Sequence, residues 1–153
     1  MNAPISELEE ILALAAERGR ARALPYAGAV TPREAHRLAL AHGAKIIDVR
    51  SSVENAYIGR IPQSALIVWK EWPSGEQNKN FVAELQAVCS SEDIVLFLCR
   101  SGVRSHSTAT VAAEVGFKNA FNILEGFEGD LDANSQRGNL GGWRKAGLPW
   151  VQD

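Results

Sequence analysis

The run Asp93–Leu98 (DIVLFL) limits what this chain can fold into more than any other segment. After its first residue, the apolar side chains follow one another without a polar break. This is typical of a strand that is buried on both faces at the centre of a parallel sheet. Such a strand needs helices on both sides of the sheet to cover it. We therefore expect an α/β fold.

The rest of the chain alternates between strand and helix patterns, as that fold requires. Three further short apolar runs predict strands at Lys45–Val49, Ala65–Trp69 and Ala120–Leu124. Spacing and capping signals predict helices over Thr31–His42, Asn80–Val88 and Ser105–Val115, and a last helical turn at Trp143–Ala146. This alternation indicates a mostly parallel sheet, in which ligands bind where the strands end and the loops lead into helices.

The segment Met1–Tyr26 precedes this alternation, and we interpret it as a helical extension to a domain over residues 27–153. Ser6 and Glu9 have the spacing of a capping box at the start of a helix. Pro25–Gly28 is typical of a linker between the two parts.

Charge and composition exclude several classes of protein. The 153 residues include 16 Lys and Arg against 18 Asp and Glu, which leaves no basic footprint for nucleic acid or an anionic membrane. No stretch approaches about 18 apolar residues, the minimum for a membrane span. Met1–Glu10 carries acidic residues where a secretory signal would be basic, so we expect a cytoplasmic location. Two cysteines are too few for a disulfide framework.

Cys99 lies where the most apolar strand ends and the helix Ser105–Val115 is about to begin. Between them, Arg100–Arg104 predicts a tight turn in which Gly102 permits a backbone conformation that other residues resist. Such a turn can aim successive backbone N–H groups at one point, and the helix N-terminus and two arginines add positive charge. These groups favour the thiolate of Cys99, which is the nucleophilic form.

A cysteine at the end of an apolar element is more commonly a small buried hydrophobe. We interpret Cys89 in that way, because it follows an amphipathic helix without a comparable turn. Cys99 differs, because Arg100 and Arg104 have no packing reason to flank such a turn. His106 follows directly and is a secondary candidate for tuning the thiol.

The loop sequence CRSGVR resembles the active-site loop of the rhodanese homology domain, a sulfurtransferase family. Other segments resemble the pattern of that family in the same order: Ile46–Arg50 (IIDVR), Glu54 with Tyr57–Pro62 (YIGRIP), Gly116–Phe117, Ile123–Gly126 (ILEG), Trp143 and Gly147–Pro149 (GLP). The resemblance spans Val30–Trp150. The chain departs from it at Gln63–Ser64, at Phe127 and in the long segment Gly129–Gly142. We expect the first two departures to affect packing and the third to affect the pocket rim.

The resemblance implies a central, mostly parallel sheet of about five strands with helices on both faces. It also implies a two-step transfer in which Cys99 takes the outer sulfur of thiosulfate or a related donor as a persulfide. Cyanide or a thiol then accepts that sulfur. No cofactor or metal enters this scheme.

The resemblance also implies roles for the residues around Cys99. Arg100 and Arg104 would bind the sulfonate of the donor, and the backbone amides of the loop would surround the persulfide. The residues of that loop are Arg100, Ser101, Gly102, Val103, Arg104 and Ser105. Asp48 and Arg50 resemble a buried structural ion pair of the family.

Three alternatives remain open. Cysteine phosphatases use Cys-x5-Arg, whereas Cys99 and Arg104 are spaced as Cys-x4-Arg, a smaller loop that suits one sulfur better than a phosphoryl group. A persulfide carrier or sensor would use Cys99 to pass sulfur to a protein partner, with Met1–Tyr26 as a contact surface. A non-catalytic interaction module would have no use for the cysteine and its arginines.

Overall fold

The computed structural model describes residues 5–153, and its centre is a sheet of five parallel strands. The strands are β1 (Gly28–Val30), β2 (Lys45–Asp48), β3 (Ala65–Leu66), β4 (Ile94–Leu98) and β5 (Asn119–Ile123). Their order across the sheet is β1-β5-β4-β2-β3, and every neighbouring pair is parallel. The run that is most apolar in the sequence therefore occupies the middle position, as we expected.

One helix precedes β1, and the others connect successive strands. The helices are α1 (Glu7–Ala21), α2 (Pro32–Ala41), α3 (Phe81–Val88) and α4 (Val103–Glu114), and a short π-helix spans Glu54–Ile58. The capping box predicted for α2 is present, since Thr31 and Glu34 exchange hydrogen bonds between their side chains and backbones. At α1, the Ser6 hydroxyl accepts a hydrogen bond from the Glu9 amide.

The helices cover both faces of the sheet, and the side chains of β4 alternate between the two resulting cores. Val95 and Phe97 enter a core that contains residues of α3 and α4. Leu96 and Leu98 enter a second core that contains residues of α1 and α2. This alternation follows from the two-residue period of a strand. The α/β fold with helices on both faces is thereby confirmed.

Three predicted boundaries were wrong. The supposed linker Pro25–Gly28 ends in β1, which pairs with β5. β3 has two residues rather than five, although the amides of Ile67 and Trp69 still donate to backbone oxygens of Asp48 and Val49. α4 begins at Val103, two residues before the predicted start. The last helical turn predicted at Trp143–Ala146 is present as a single hydrogen-bonded turn, in which the Ala146 amide donates to the Gly142 carbonyl at 3.0 Å.

The N-terminal segment packs onto the sheet. Ile11 and Ala15 of α1 are buried in the same core as Val30 of β1, and Arg18 forms a salt bridge with Glu34 of α2 at 2.6 Å. Tyr26 is buried in the core on the opposite face. The division into an extension over residues 1–26 and a domain over 27–153 stays a prediction, and residues 1–4 lie outside the described part. No helix within residues 5–153 is long and apolar enough to cross a membrane.

Candidate active site

The loop after β4 places Cys99 between the end of the central strand and the start of α4. Gly102 is the cap residue of α4 and has a φ of 108°, a conformation that residues with a Cβ rarely adopt. Ser101 is half-buried in the turn, and Val103, the first residue of α4, is exposed. The first amides of α4 are among those that a helix leaves without an intrahelical acceptor.

A second segment holds the loop from behind. The amides of Phe127 and Glu128 donate to the backbone oxygens of Cys99 and Arg100 at 2.9 and 3.0 Å. Gly126 has a φ of 65°, and a Cβ at this position would overlap the carbonyl of Arg100. A glycine is therefore required here by both backbone conformation and space.

The sulfur of Cys99 faces into the loop. The Gly102 amide donates to Sγ at 3.1 Å, and the Ser105 hydroxyl lies 3.2 Å from Sγ. The Cys99 residue is only 1% exposed, which is typical of a buried structural cysteine. Cys99 differs from a buried structural cysteine, because the Gly102 amide points at its sulfur.

A buried polar network continues from the sulfur toward β5. Ser105 donates a hydrogen bond to Asn122 Oδ1 at 2.5 Å, and the Asn122 amide group donates to the Gly102 carbonyl at 3.1 Å. Tyr26 also lies beside Asn122, and its hydroxyl is 2.7 Å from His106 Nδ1. Asn122 and Tyr26 were not predicted as site residues, because only the folded chain brings β5 and the N-terminal segment to this loop.

Arg104 is held in a salt bridge within the site. Its two terminal nitrogens bond the two carboxylate oxygens of Glu54 at 2.7 and 2.9 Å. Burial would raise the pKa of Glu54, but the hydrogen bonds and charge of Arg104, helped by Ser51, lower it to about 2. The same hydrogen bonds raise the pKa of Arg104 despite its partial burial. Glu54 belongs to a segment that resembles the family pattern, but nothing in the sequence indicated its partner.

Both arginines of the loop line an open cavity of about 580 Å³. Its wall also contains Lys70, the exposed Trp72 and Arg137, which lies in the long segment Gly129–Gly142. That segment therefore borders the cavity that the two loop arginines line. Among the described residues, no carboxylate forms a salt bridge with Lys70, Arg100 or Arg137. Glu71 and Glu128 line the same cavity, so its wall carries these three cations together with carboxylates to which none of them is salt-bridged.

The predicted pair of Asp48 and Arg50 lies beneath the site. Arg50 bonds Asp48 through Nε and Nη2 at 2.9 and 2.7 Å, and both side chains are fully buried. The Arg50 guanidinium also lies 4.4 Å from the centre of the Phe127 ring. Phe127 therefore packs against the ion pair.

Other candidate groups do not gather at the site. Cys89 is buried at the end of α3, and its burial raises the pKa of its thiol. Among residues 5–153, no three His, Cys, Asp or Glu side chains lie where they could hold a metal ion.

Comparison with known proteins points to one family. Residues 31–133 match the family described as Rhodanese-like domain. The crystal structure of Rv0390 from M. tuberculosis superposes with a TM-score of 0.75 and 41% identity, over 84% of this chain and 99% of that one. An uncharacterised protein of Rickettsia prowazekii is 35% identical over 74% of this chain and 87% of its own length. A thiosulfate sulfurtransferase of Haemophilus influenzae is 27% identical over 65% of this chain and 84% of its own length.

Proposed function

The chain belongs to the rhodanese-like family of sulfurtransferases, and on that premise we propose that Cys99 carries a sulfane sulfur as a persulfide between a thiosulfate-like donor and a thiophilic acceptor. The observation that carries the proposal is the hydrogen bond from the Gly102 amide to Cys99 Sγ. A backbone donor at this point stabilises negative charge on Sγ, both in the thiolate that attacks the donor and in the thiolate that is restored when the acceptor takes the sulfur.

The first step forms a sulfur–sulfur bond on the enzyme. The Cys99 thiolate attacks the outer sulfur of thiosulfate, and the electron pair of the donor's S–S bond leaves with sulfite. The products are a Cys99 persulfide anion and free sulfite. Because Cys99 is only 1% exposed, the donor has to reach the sulfur through the loop, and the cavity lined by Arg100 and Arg104 is the side on which its sulfonate would meet both arginines.

The second step returns the cysteine to its starting state. Cyanide attacks the terminal sulfur and leaves as thiocyanate, while the electron pair of the S–S bond returns to Sγ as a thiolate. A thiol acceptor would leave as a persulfide in the same way. Donor and acceptor react in turn at one sulfur, which is a ping-pong scheme.

Arg100 is the residue best placed to bind the donor's sulfonate, because it is exposed and lines the cavity. Arg104 supplies positive charge from within its pair with Glu54, and it holds the loop to the π-helix. Ser101 and Val103–Ser105 contribute the remaining amides of the loop. Asp48 and Arg50 act as structural support below it.

The test is formation of thiocyanate from thiosulfate and cyanide, together with the intact mass of the protein after thiosulfate alone. We expect a mass gain of one sulfur atom that cyanide removes. Cys99→Ser should lose both signals, with turnover reduced by about a thousandfold or more. Cys89→Ala is the matched control and should keep them. Turnover by Cys99→Ser equal to that of the unchanged protein would refute the proposal.

A persulfide carrier for a protein acceptor is the second candidate. The cavity mouth carries the exposed apolar side chains of Val53 and Trp72, which a small inorganic acceptor does not need. The same experiment separates the two functions. A persulfide that forms with thiosulfate but passes to protein thiols much faster than to cyanide would favour the carrier.

A further inference from the structure

The Ser105 hydroxyl lies between two acceptors and has a single hydrogen to give. Cys99 Sγ is 3.2 Å away on one side, and Asn122 Oδ1 is 2.5 Å away on the other. If Ser105 donates to Sγ, it stabilises a thiolate. If it donates to Asn122, its oxygen lone pair faces Sγ and can accept a hydrogen from a thiol.

The surroundings of Asn122 decide which acceptor receives the hydrogen. Its side-chain nitrogen lies 3.1 Å from the Gly102 carbonyl, which can only accept. Turning the amide over would place two oxygens against each other at that position. The amide orientation is therefore fixed by its hydrogen bonds, and Oδ1 faces the Ser105 hydroxyl.

We propose that Asn122 is a positioning residue, which takes the Ser105 hydrogen and thereby turns a Ser105 lone pair toward Cys99 Sγ, so that this hydroxyl opposes a thiolate at Cys99 instead of stabilising it. The proposal rests on the proposed role of Cys99 as the reacting group. In this arrangement the thiol is fully bonded. It accepts from the Gly102 amide and donates to Ser105 Oγ.

Ionisation of Cys99 then disturbs the hydrogen bonds that Ser105 makes with Cys99 and Asn122. The thiol proton leaves to solvent, and the thiolate faces a lone pair until the Ser105 hydroxyl rotates toward Sγ. That rotation takes the Ser105 hydrogen away from Asn122 Oδ1, and the loss of a hydrogen bond is unfavourable for a buried acceptor. The hydroxyl therefore works against the thiolate, although its distance from the sulfur suggests the opposite.

The charged and titratable groups around the sulfur are unchanged by substitutions at Ser105. They are Arg100, Arg104 with its partner Glu54, Asp48 with Arg50, Tyr26, His106 and Glu125. A shift seen on removal of the Ser105 hydroxyl is therefore assigned to that hydroxyl.

The test is the pH profile of Cys99 alkylation by iodoacetamide, measured by peptide mass at pH values across the rise in rate. Ser105→Ala should move the midpoint of this profile to lower pH by about half a unit to one unit, the size expected for one hydrogen bond. Below the midpoint this is a rate increase of about three- to tenfold. A thiolate-donating Ser105 predicts a shift to higher pH, and either that shift or an unchanged midpoint would overturn the proposal.

Two further variants test the role of Asn122. Asn122→Ala frees the hydroxyl and should also lower the midpoint, whereas the Ser105→Ala/Asn122→Ala double variant should match Ser105→Ala alone. An additional shift in the double variant would show that Asn122 does not act through Ser105. Ser105→Thr should keep the original midpoint, and Thr110→Ala, on the outer side of α4, is the control. Alkylation needs no sulfur donor, so this result stands apart from any failure of thiocyanate formation.

Discussion

The pair of Glu54 and Arg104 ties the loop that carries Cys99 to the π-helix after β2. Its two hydrogen bonds match a carboxylate to the planar fork of a guanidinium, and both side chains are mostly shielded from solvent. The position of the loop thus depends on the charge of the Glu54 carboxylate, and this dependence can be measured as a change of stability with pH.

We expect Glu54→Gln to destabilise the protein by about 3 kcal/mol at neutral pH, because the pKa of Glu54 is about 2 in the folded state against an ordinary 4.5. A lowered folded-state pKa gives stability that is fully present above the unfolded value and is lost as pH falls. The difference in unfolding free energy between the two proteins should therefore be constant above pH 4.5 and shrink from there toward pH 2.

Urea unfolding at a series of pH values measures this difference directly. Glu10→Gln removes an exposed carboxylate of α1 and controls for the change in net charge. A difference that stays constant down to pH 2 would show that the Glu54 carboxylate is not specifically stabilised in the folded protein.

Among single residues, the sequence predicted the role of those whose chemistry depends on their neighbours in the chain. Cys99 and Gly102 could be assigned because strand, turn and helix start follow each other within a few positions. The partners of Arg104 and Ser105 could not be predicted, because Glu54 and Asn122 are 50 and 17 residues away in the chain. Nothing in a local pattern specifies which carboxylate or amide the sheet brings alongside.

Among the elements, β1 was missed because its residues, Gly28–Val30, are too few to show a strand pattern. Gly28 is needed there for close packing, and not for the flexibility expected of a linker. α1 crosses β1 so closely that a Cβ on Gly28 would overlap the carbonyl of Ala15. Strands with longer apolar runs, and helices with clear caps, were predicted to within a few residues, since their own side chains specify them.

This close crossing predicts the effect of one added methyl group. Gly28→Ala should push α1 away from β1 and cost about 2 to 3 kcal/mol, because the obstacle is backbone that cannot rotate aside. Urea unfolding measures the loss, and amide hydrogen exchange should become faster throughout α1. Ala13→Ser adds one atom on the exposed side of the same helix and should cost only about 0.5 kcal/mol, the difference in helix propensity. An unaltered stability for Gly28→Ala would mean that α1 does not pack at this distance.

For the whole molecule, the carrier hypothesis treats Met1–Tyr26 as a contact surface for a protein partner, and on that hypothesis its removal would leave the small-donor reaction intact. The packing argues against that expectation. Ile11 and Ala15 lie in one core, and Leu24 and Tyr26 lie in or against the other, so the segment contributes to both faces of the sheet. Tyr26 also bonds His106, close to the loop. Periodicity indicated that α1 is a helix, but it could not show what its apolar side covers.

Deletion of residues 1–26 should therefore destabilise the protein by several kcal/mol, since two large buried side chains alone, Ile11 and Tyr26, contribute about 3 to 6 kcal/mol. Urea unfolding followed by tryptophan fluorescence measures the loss. Leu14→Ser alters a side chain of α1 that is already 41% exposed and should cost far less, about 1 kcal/mol or under. Thiosulfate turnover should fall in the truncated chain in proportion to the unfolded fraction and recover when an osmolyte restores folding. A truncated chain with full stability and full turnover would instead identify residues 1–26 as a separate unit, available for partner binding.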